Sequence, residues 1–168
     1  MRVRGASIAL ALALAAGAAL WITLAPAWRQ RPGHLAPALV MPLLGGGRLS
    51  LAQQRGHAVL IDFWAPDCVP CVAELPRFER LARAAGPRFT LIGVAMSYSD
   101  PHAIRVVAAR AGITYPLAWD RDGRIAQAFG VRVTPTQILI GADGRIQARV
   151  EGGLAAPLLR QMLAAGSG

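Results

Sequence analysis

The 168-residue chain carries a formal net charge of +9 that rests on 18 arginines, lysine being absent, and has room for one ordinary domain plus a further segment. Four arginines flank an apolar N-terminal run; from Pro32 onward 14 arginines meet 9 acids, a balance of +5. They are scattered without aromatic interleaving or a dense basic run, which argues against a nucleic-acid surface and for solvated helix faces and loop ends.

Arg2 and Arg4 precede an apolar stretch from Ala6 to Trp28. As a helix it would span roughly 35 Å, enough for a bilayer core. Its length, with Trp21 and Trp28 at interfacial depth, favours a retained anchor. Ala25-Pro26-Ala27 offers the alternative of a signal peptide cleaved after Ala27. Arginines on both sides of the run lean only slightly towards a cytoplasmic N-terminus. Residues 1–28 are thus expected to be a signal anchor or signal peptide, residues 29–36 a linker, and residues 37–168 one exported domain.

Leu39–Leu43, Gly45-Gly46-Gly47 and Arg48–Leu51 read as a hairpin with a flexible turn. Val59-Leu60-Ile61-Asp62-Phe63-Trp64 reads as a buried strand. From Val69 to Ala85 a helix is expected, with Leu75, Phe78, Ala82 and Ala85 inward, Arg77, Arg80 and Arg83 outward, and a kink at Pro76. Phe89–Met96 is a second apolar strand, and Ile104, Val107, Ala108 and Ala111 mark a helix closed by Gly112. Leu117–Trp119 is a short strand, followed by a turn at Asp120–Gly123 and a short helix reaching Phe129. Thr136–Ile140 and Arg145–Val150 form a hairpin around Ala142-Asp143-Gly144, and Leu154–Ala165 is an amphipathic final helix. The order predicts an α/β fold, a mixed sheet covered by helices.

Cys68 and Cys71 are the only cysteines, and their spacing alone leaves redox and metal roles open. Their position at a strand-to-helix junction favours thiol–disulfide exchange, because a helix N-terminus stabilises a thiolate. Zinc needs four ligands, and His34, His57 and His102 show no zinc spacing. Val72 follows the pair, so the motif is not a c-type haem attachment site. Asp62 stands in an otherwise apolar strand, where an unpartnered carboxylate is costly and therefore has a partner or a task.

The run Ile61–Cys71, continued by Val72-Ala73-Glu74-Leu75-Pro76, resembles the active-site segment of the thioredoxin superfamily, and in particular the membrane-anchored TlpA/ResA type of thiol–disulfide oxidoreductase. Gly130-Val131-Arg132-Val133-Thr134-Pro135-Thr136 resembles the loop that carries that family's cis-proline. Asp143-Gly144-Arg145 and Gly152-Gly153 fall where its last hairpin and final helix begin. The resemblance covers about Ala36 to Leu163 and implies a thioredoxin-like fold with an N-terminal hairpin extension.

It further implies that Cys68 attacks, that Cys71 resolves the mixed disulfide, and that Asp62 serves Cys71 as general acid/base with a raised pKa. Pro135 would be the cis-proline, with the Thr134 backbone offered to a client strand. Trp64 and Pro70 would shape the rim and stiffen the turn between the cysteines, although packing alone also accounts for Trp64. Glu74 matches the family pattern or simply assists the helix N-terminus. Asp67 departs from the pattern: an anion beside Cys68 opposes thiolate formation.

No cofactor beyond the Cys68–Cys71 disulfide is implied. The implied partners are protein disulfide or thiol clients and a membrane electron donor. The implied location is the bacterial inner membrane, with the domain on the periplasmic side and the N-terminal helix as tether. Cytochrome c maturation and maintenance of metal-site thiols are the client classes suggested. Competing readings are a dithiol oxidase, a copper- or metal-handling protein on the same fold with His102 as distal ligand, and a peroxiredoxin-like peroxidase.

Overall fold

The computed structural model describes residues 32–153 apart from residues 86 and 88. The expected N-terminal span and the final helix at Leu154–Ala165 lie outside the described residues. Among the described residues no helix is long and apolar enough to cross a membrane.

The first hairpin pairs β1 (Val40–Pro42) with β2 (Arg48–Ser50) antiparallel. Gly46 and Gly47 turn with φ of +95° and +80°, values that side chains rarely adopt. A 3-10 turn at Leu51–Gln54 leads to β3 (Ala58–Trp64), seven residues that are all buried. Then come α1 (Val69–Ala84), β4 (Phe89–Ala95), α2 (Pro101–Arg110), β5 (Leu117–Trp119), α3 (Arg124–Ala128), β6 (Thr136–Ile140) and β7 (Ile146–Glu151). The main sheet has the order β5-β4-β3-β6-β7, parallel between β3, β4 and β5 and antiparallel across β6 and β7. This is the mixed sheet expected from the sequence.

Alternation along β3 divides the interior. Val59, Ile61 and Phe63 join one core with Phe129, Val131, Ile138 and Met41. Leu60, Asp62 and Trp64 face the other way, where Leu60 packs with Phe78 and Leu81, and Trp64 with Cys71, Leu75 and Ile104. The N-terminal hairpin closes the β5 edge through a bridge from Leu43 to Ala118 and the Leu44 N–H donating to the Leu117 carbonyl. An uncovered edge would invite pairing with another chain.

The helix after the cysteines differs from the expected stripe. Leu75 and Phe78 are buried as predicted, but so are Glu79 and Leu81. Pro76 stands exposed, and the helix runs from Val69 to Ala84 without a break at that position. Glu79 is buried because the segment before β5 lies on it: its carboxylate accepts from the Thr114 amide (2.7 Å), the Thr114 hydroxyl (2.7 Å) and Arg83 (2.5 Å). Burial raises its pKa, but those bonds outweigh burial and hold it at about 2. Two further charged residues tie elements together. Asp120 caps α3 through the amides of Ile125 and Ala126, and Arg149 binds the carbonyls of Phe129 and Gly130 where α3 runs out.

Candidate active site

The dithiol sits where β3 hands over to α1. Cys68 is the N-cap residue in extended conformation, and its sulfur accepts from the Cys71 amide at 3.3 Å. Val69 and Pro70 open the first turn, where proline's missing N–H costs nothing. Cys68 and Cys71 form a disulfide with Cα atoms 5.2 Å apart. The two sulfurs differ in access: Cys68 is half-buried, whereas Cys71 is buried against Trp64 and Leu75. An external thiol or disulfide therefore meets Cys68 first, which fits the attacking role given to it.

Strand register brings the second predicted loop to the same end of the sheet. Phe63 pairs with Thr136, so Thr134 and Pro135 precede β6 at the end of the sheet where β3 runs out towards the cysteines. The Thr134–Pro135 peptide is cis, as the family resemblance implies. The Thr136 hydroxyl donates to the Val133 carbonyl (2.7 Å), and the Gly152 amide donates to the Pro135 carbonyl (2.9 Å). Phe129, edge-on to Phe63 at 5.8 Å, fixes the start of this loop in the core.

One rim assignment needs correction. Of the two roles open to Trp64 the structure shows packing rather than rim: it is fully buried, because alternation places it on the inner face under α1 and α2. It supports the dithiol from below. The Pro135 ring is likewise buried, so client-facing atoms of that loop belong to half-exposed Thr134 and exposed Val133. Pro70 is exposed as predicted, beside Val69 at 80% exposure. Asp67 is also exposed.

Asp62 lies on the face of β3 that α1 covers, 1% exposed. Its Oδ1 accepts from Gln137 Nε2 at 2.8 Å, while Oδ2 is buried without a hydrogen-bond partner. Desolvation pushes this carboxyl up to about 7; the Gln137 bond opposes the rise and the charge of Glu74 adds to it. The same Gln137 amide donates to Glu74 Oε2 at 3.4 Å. Glu74 thus belongs to the buried acid's surroundings, a role its position in the first helical turns did not reveal. Gln137 was missed altogether. Its signal was available: one amide inside the apolar run Thr136-Gln137-Ile138-Leu139-Ile140, on the strand that pairs with Asp62's own.

Among the described residues no three His, Cys, Asp or Glu side chains are close enough to hold an ion. His102 is exposed in the first turn of α2, whose N-cap Asp100 accepts from the His102 and Ala103 amides.

Residues 32–149 match the AhpC/TSA family. The chain belongs to that family. Among curated relatives it is 30% identical over 135 residues to the thiol-disulfide oxidoreductase ResA of Geobacillus thermodenitrificans, covering 78% of this chain and 75% of that protein. It is 31% identical over 124 residues to ResA of Geobacillus kaustophilus, covering 71% and 69%. Among solved structures, a secreted Mycobacterium tuberculosis disulfide oxidoreductase homologous to E. coli DsbE superposes with a TM-score of 0.68 at 26% identity, over 76% of this chain and 96% of that one. The TlpA/ResA-like resemblance read from the motifs therefore holds across the domain. With a disulfide at the helix start, this member of the family is a thiol–disulfide oxidoreductase.

Proposed function

We propose that this chain reduces disulfides in partner proteins outside the cytoplasm, tethered to the membrane by its N-terminal segment. The observation that carries the reading is the unequal access of the two sulfurs above a buried acid whose pKa lies near neutrality. In the reduced protein the Cys68 thiolate attacks a client disulfide, forming a mixed disulfide and releasing one client thiolate. Cys71, deprotonated by Asp62, then attacks the Cys68 sulfur, and the second client sulfur leaves as thiolate and takes up a proton. Two electrons pass to the client, and Cys68–Cys71 closes.

Asp67 supports the reductive direction. An exposed anion next to Cys68 disfavours the thiolate, and destabilising the reduced form makes the dithiol a better electron donor. Outside the cytoplasm, the dithiol would need a dedicated membrane electron donor to return to the reduced state. Apocytochromes c and thiol-bearing metal sites are the client classes we favour, from the resemblance to TlpA/ResA-type proteins.

Cys71→Ala in the full-length chain, expressed in cells, tests this. Clients should accumulate as mixed disulfides on Cys68 and be identified by mass spectrometry after thiol release. Failure to trap any protein through Cys68 would overturn the reductase reading.

A further inference from the structure

The loop that follows β4 and the loop that precedes β6 meet at the end of β3. Those two strands flank β3 on opposite sides, so they lie about 10 Å apart. Yet the hydroxyl of Tyr98, three residues beyond β4, stands 3.5 Å from the hydroxyl of Thr134, the residue before the cis-proline. Tyr98 closes that distance where β3 gives way to the cysteine turn. Its loop is well anchored. The Met96 amide donates to the Trp64 carbonyl, the Ser99 amide donates to the Met96 carbonyl, and Asp100 caps α2. The Tyr98 side chain is nevertheless left 63% exposed.

Two more large apolar side chains stand exposed at this end of the sheet: Val69, next to Cys68, and Val133, next to Thr134. Single exposed apolar residues are ordinary, but a group of them around a reactive sulfur marks a contact surface. Asp67 and Arg132, each exposed, precede Cys68 and Val133 and give the surface a polar rim.

We propose that Tyr98 selects clients by packing its ring against an aromatic or branched aliphatic side chain adjacent to the client's reactive cysteine. The surface is continuous with Cys68 and Thr134, the groups that meet a client, so its occupant is the client chain itself. This selection rests on the reading of Cys68 as the attacking sulfur. Tyrosine suits the task because its ring is large and rigid and little entropy is lost in ordering it, and the Thr134 contact already orients it. Tyr98 moves no proton or electron. The Cys68 thiolate still forms the bond to the client sulfur, and the other sulfur of the client disulfide still leaves as thiolate.

The test uses two short peptides, each with its cysteine in mixed disulfide with thionitrobenzoate, flanked on both sides by phenylalanine in one and by serine in the other. Stopped-flow release of thionitrobenzoate by the reduced full-length chain gives a second-order rate for each, taken relative to the rate with free glutathione. The wild type should prefer the phenylalanine peptide by about tenfold. Tyr98→Ala should bring that ratio to about 2 or less, and Tyr98→Phe should keep it, because the ring makes the contact. An unchanged ratio in Tyr98→Ala overturns the proposal. Equal slowing of both peptides overturns it too, by making Tyr98 a support of the dithiol rather than a selector. A wild-type ratio near 1 overturns it as well, and a dimer that Tyr98→Ala dissolves would then assign the surface to a second copy of the chain. The reading of Cys68 fails separately, if Cys68→Ser releases thionitrobenzoate at the wild-type rate.

Discussion

Gln137 Nε2 donates to Asp62 Oδ1 at 2.8 Å across paired strands, and the same amide reaches Glu74 on the helix that carries the cysteines. One neutral side chain therefore joins two carboxyls and holds the buried one short of the pKa that desolvation alone would impose. The buried acid is thus tied both to β6 and to the helix that carries the cysteines.

Asp62→Asn should slow resolution of a mixed disulfide on Cys68 by about 10²-fold, the usual contribution of a positioned base. In the wild type the rate should rise with pH through about 7 as Asp62 ionises. That inflection should vanish in the variant. Stopped-flow release of a chromophoric thiol from Cys68 measures both, and an unchanged rate removes Asp62 from the mechanism.

The same substitution should change how stability depends on pH. The Asp62 pKa is raised on folding, so between 3.8 and about 7 the folded state binds a proton that the unfolded chain lacks. Stability from this group is present at low pH and lost as pH rises to about 7. At about 1.4 kcal/mol per unit, the full window carries at most about 4 kcal/mol. Urea melts at pH 5 and pH 8 should show Asp62→Asn gaining on the wild type at the higher pH. A constant difference would contradict the raised value.

Glu74→Gln removes a charge that raises the Asp62 pKa, so the midpoint should fall. Gln137→Leu removes the bond that lowers it, so the midpoint should climb. Infrared titration of the Asp62 carboxyl reads both directions, and movement the same way in the two variants would show that the assigned causes are wrong.

Glu79→Ala should cost roughly 2 kcal/mol or more, since it leaves the Thr114 amide and hydroxyl without their acceptor. Because the Glu79 pKa is lowered to about 2, its contribution is present above pH 4.5 and lost as pH falls towards 2. Denaturation at pH 7 and pH 3 should show the variant's deficit shrinking in acid.

Asp67→Asn removes an exposed anion beside Cys68 and should stabilise the reduced dithiol. The reduction potential should rise by an amount on the order of 10 mV, small because solvent screens the charge. Equilibration with a glutathione couple measures it, and a fall would reverse the argument made from Asp67.

Much of the site was legible because its signals are local. A continuous apolar run ending in Trp64, two cysteines one helical turn apart and the lone acid at Asp62 announce themselves by type and spacing, while Pro135 was singled out by the family resemblance of its loop. What stayed hidden is contact between segments distant in sequence. Nothing near Glu79 announces Thr114, and Arg149 looks like any solvated arginine until β7 brings it to the carbonyls that end α3. Trp64 shows the converse. Its neighbours on the chain suggest a rim residue, but the alternation of β3 turns its ring inward.

Residue type and neighbours a few positions away were enough for the order of elements, the dithiol and the lone acid of β3, and the family resemblance of its loop added the cis-proline. Only the tertiary structure decided what surrounds that acid. Gln137 and Glu74 come from two separate segments, and sheet register and helix packing bring them to Asp62. Desolvation and charge depend on distance in space, which spacing along a chain does not record.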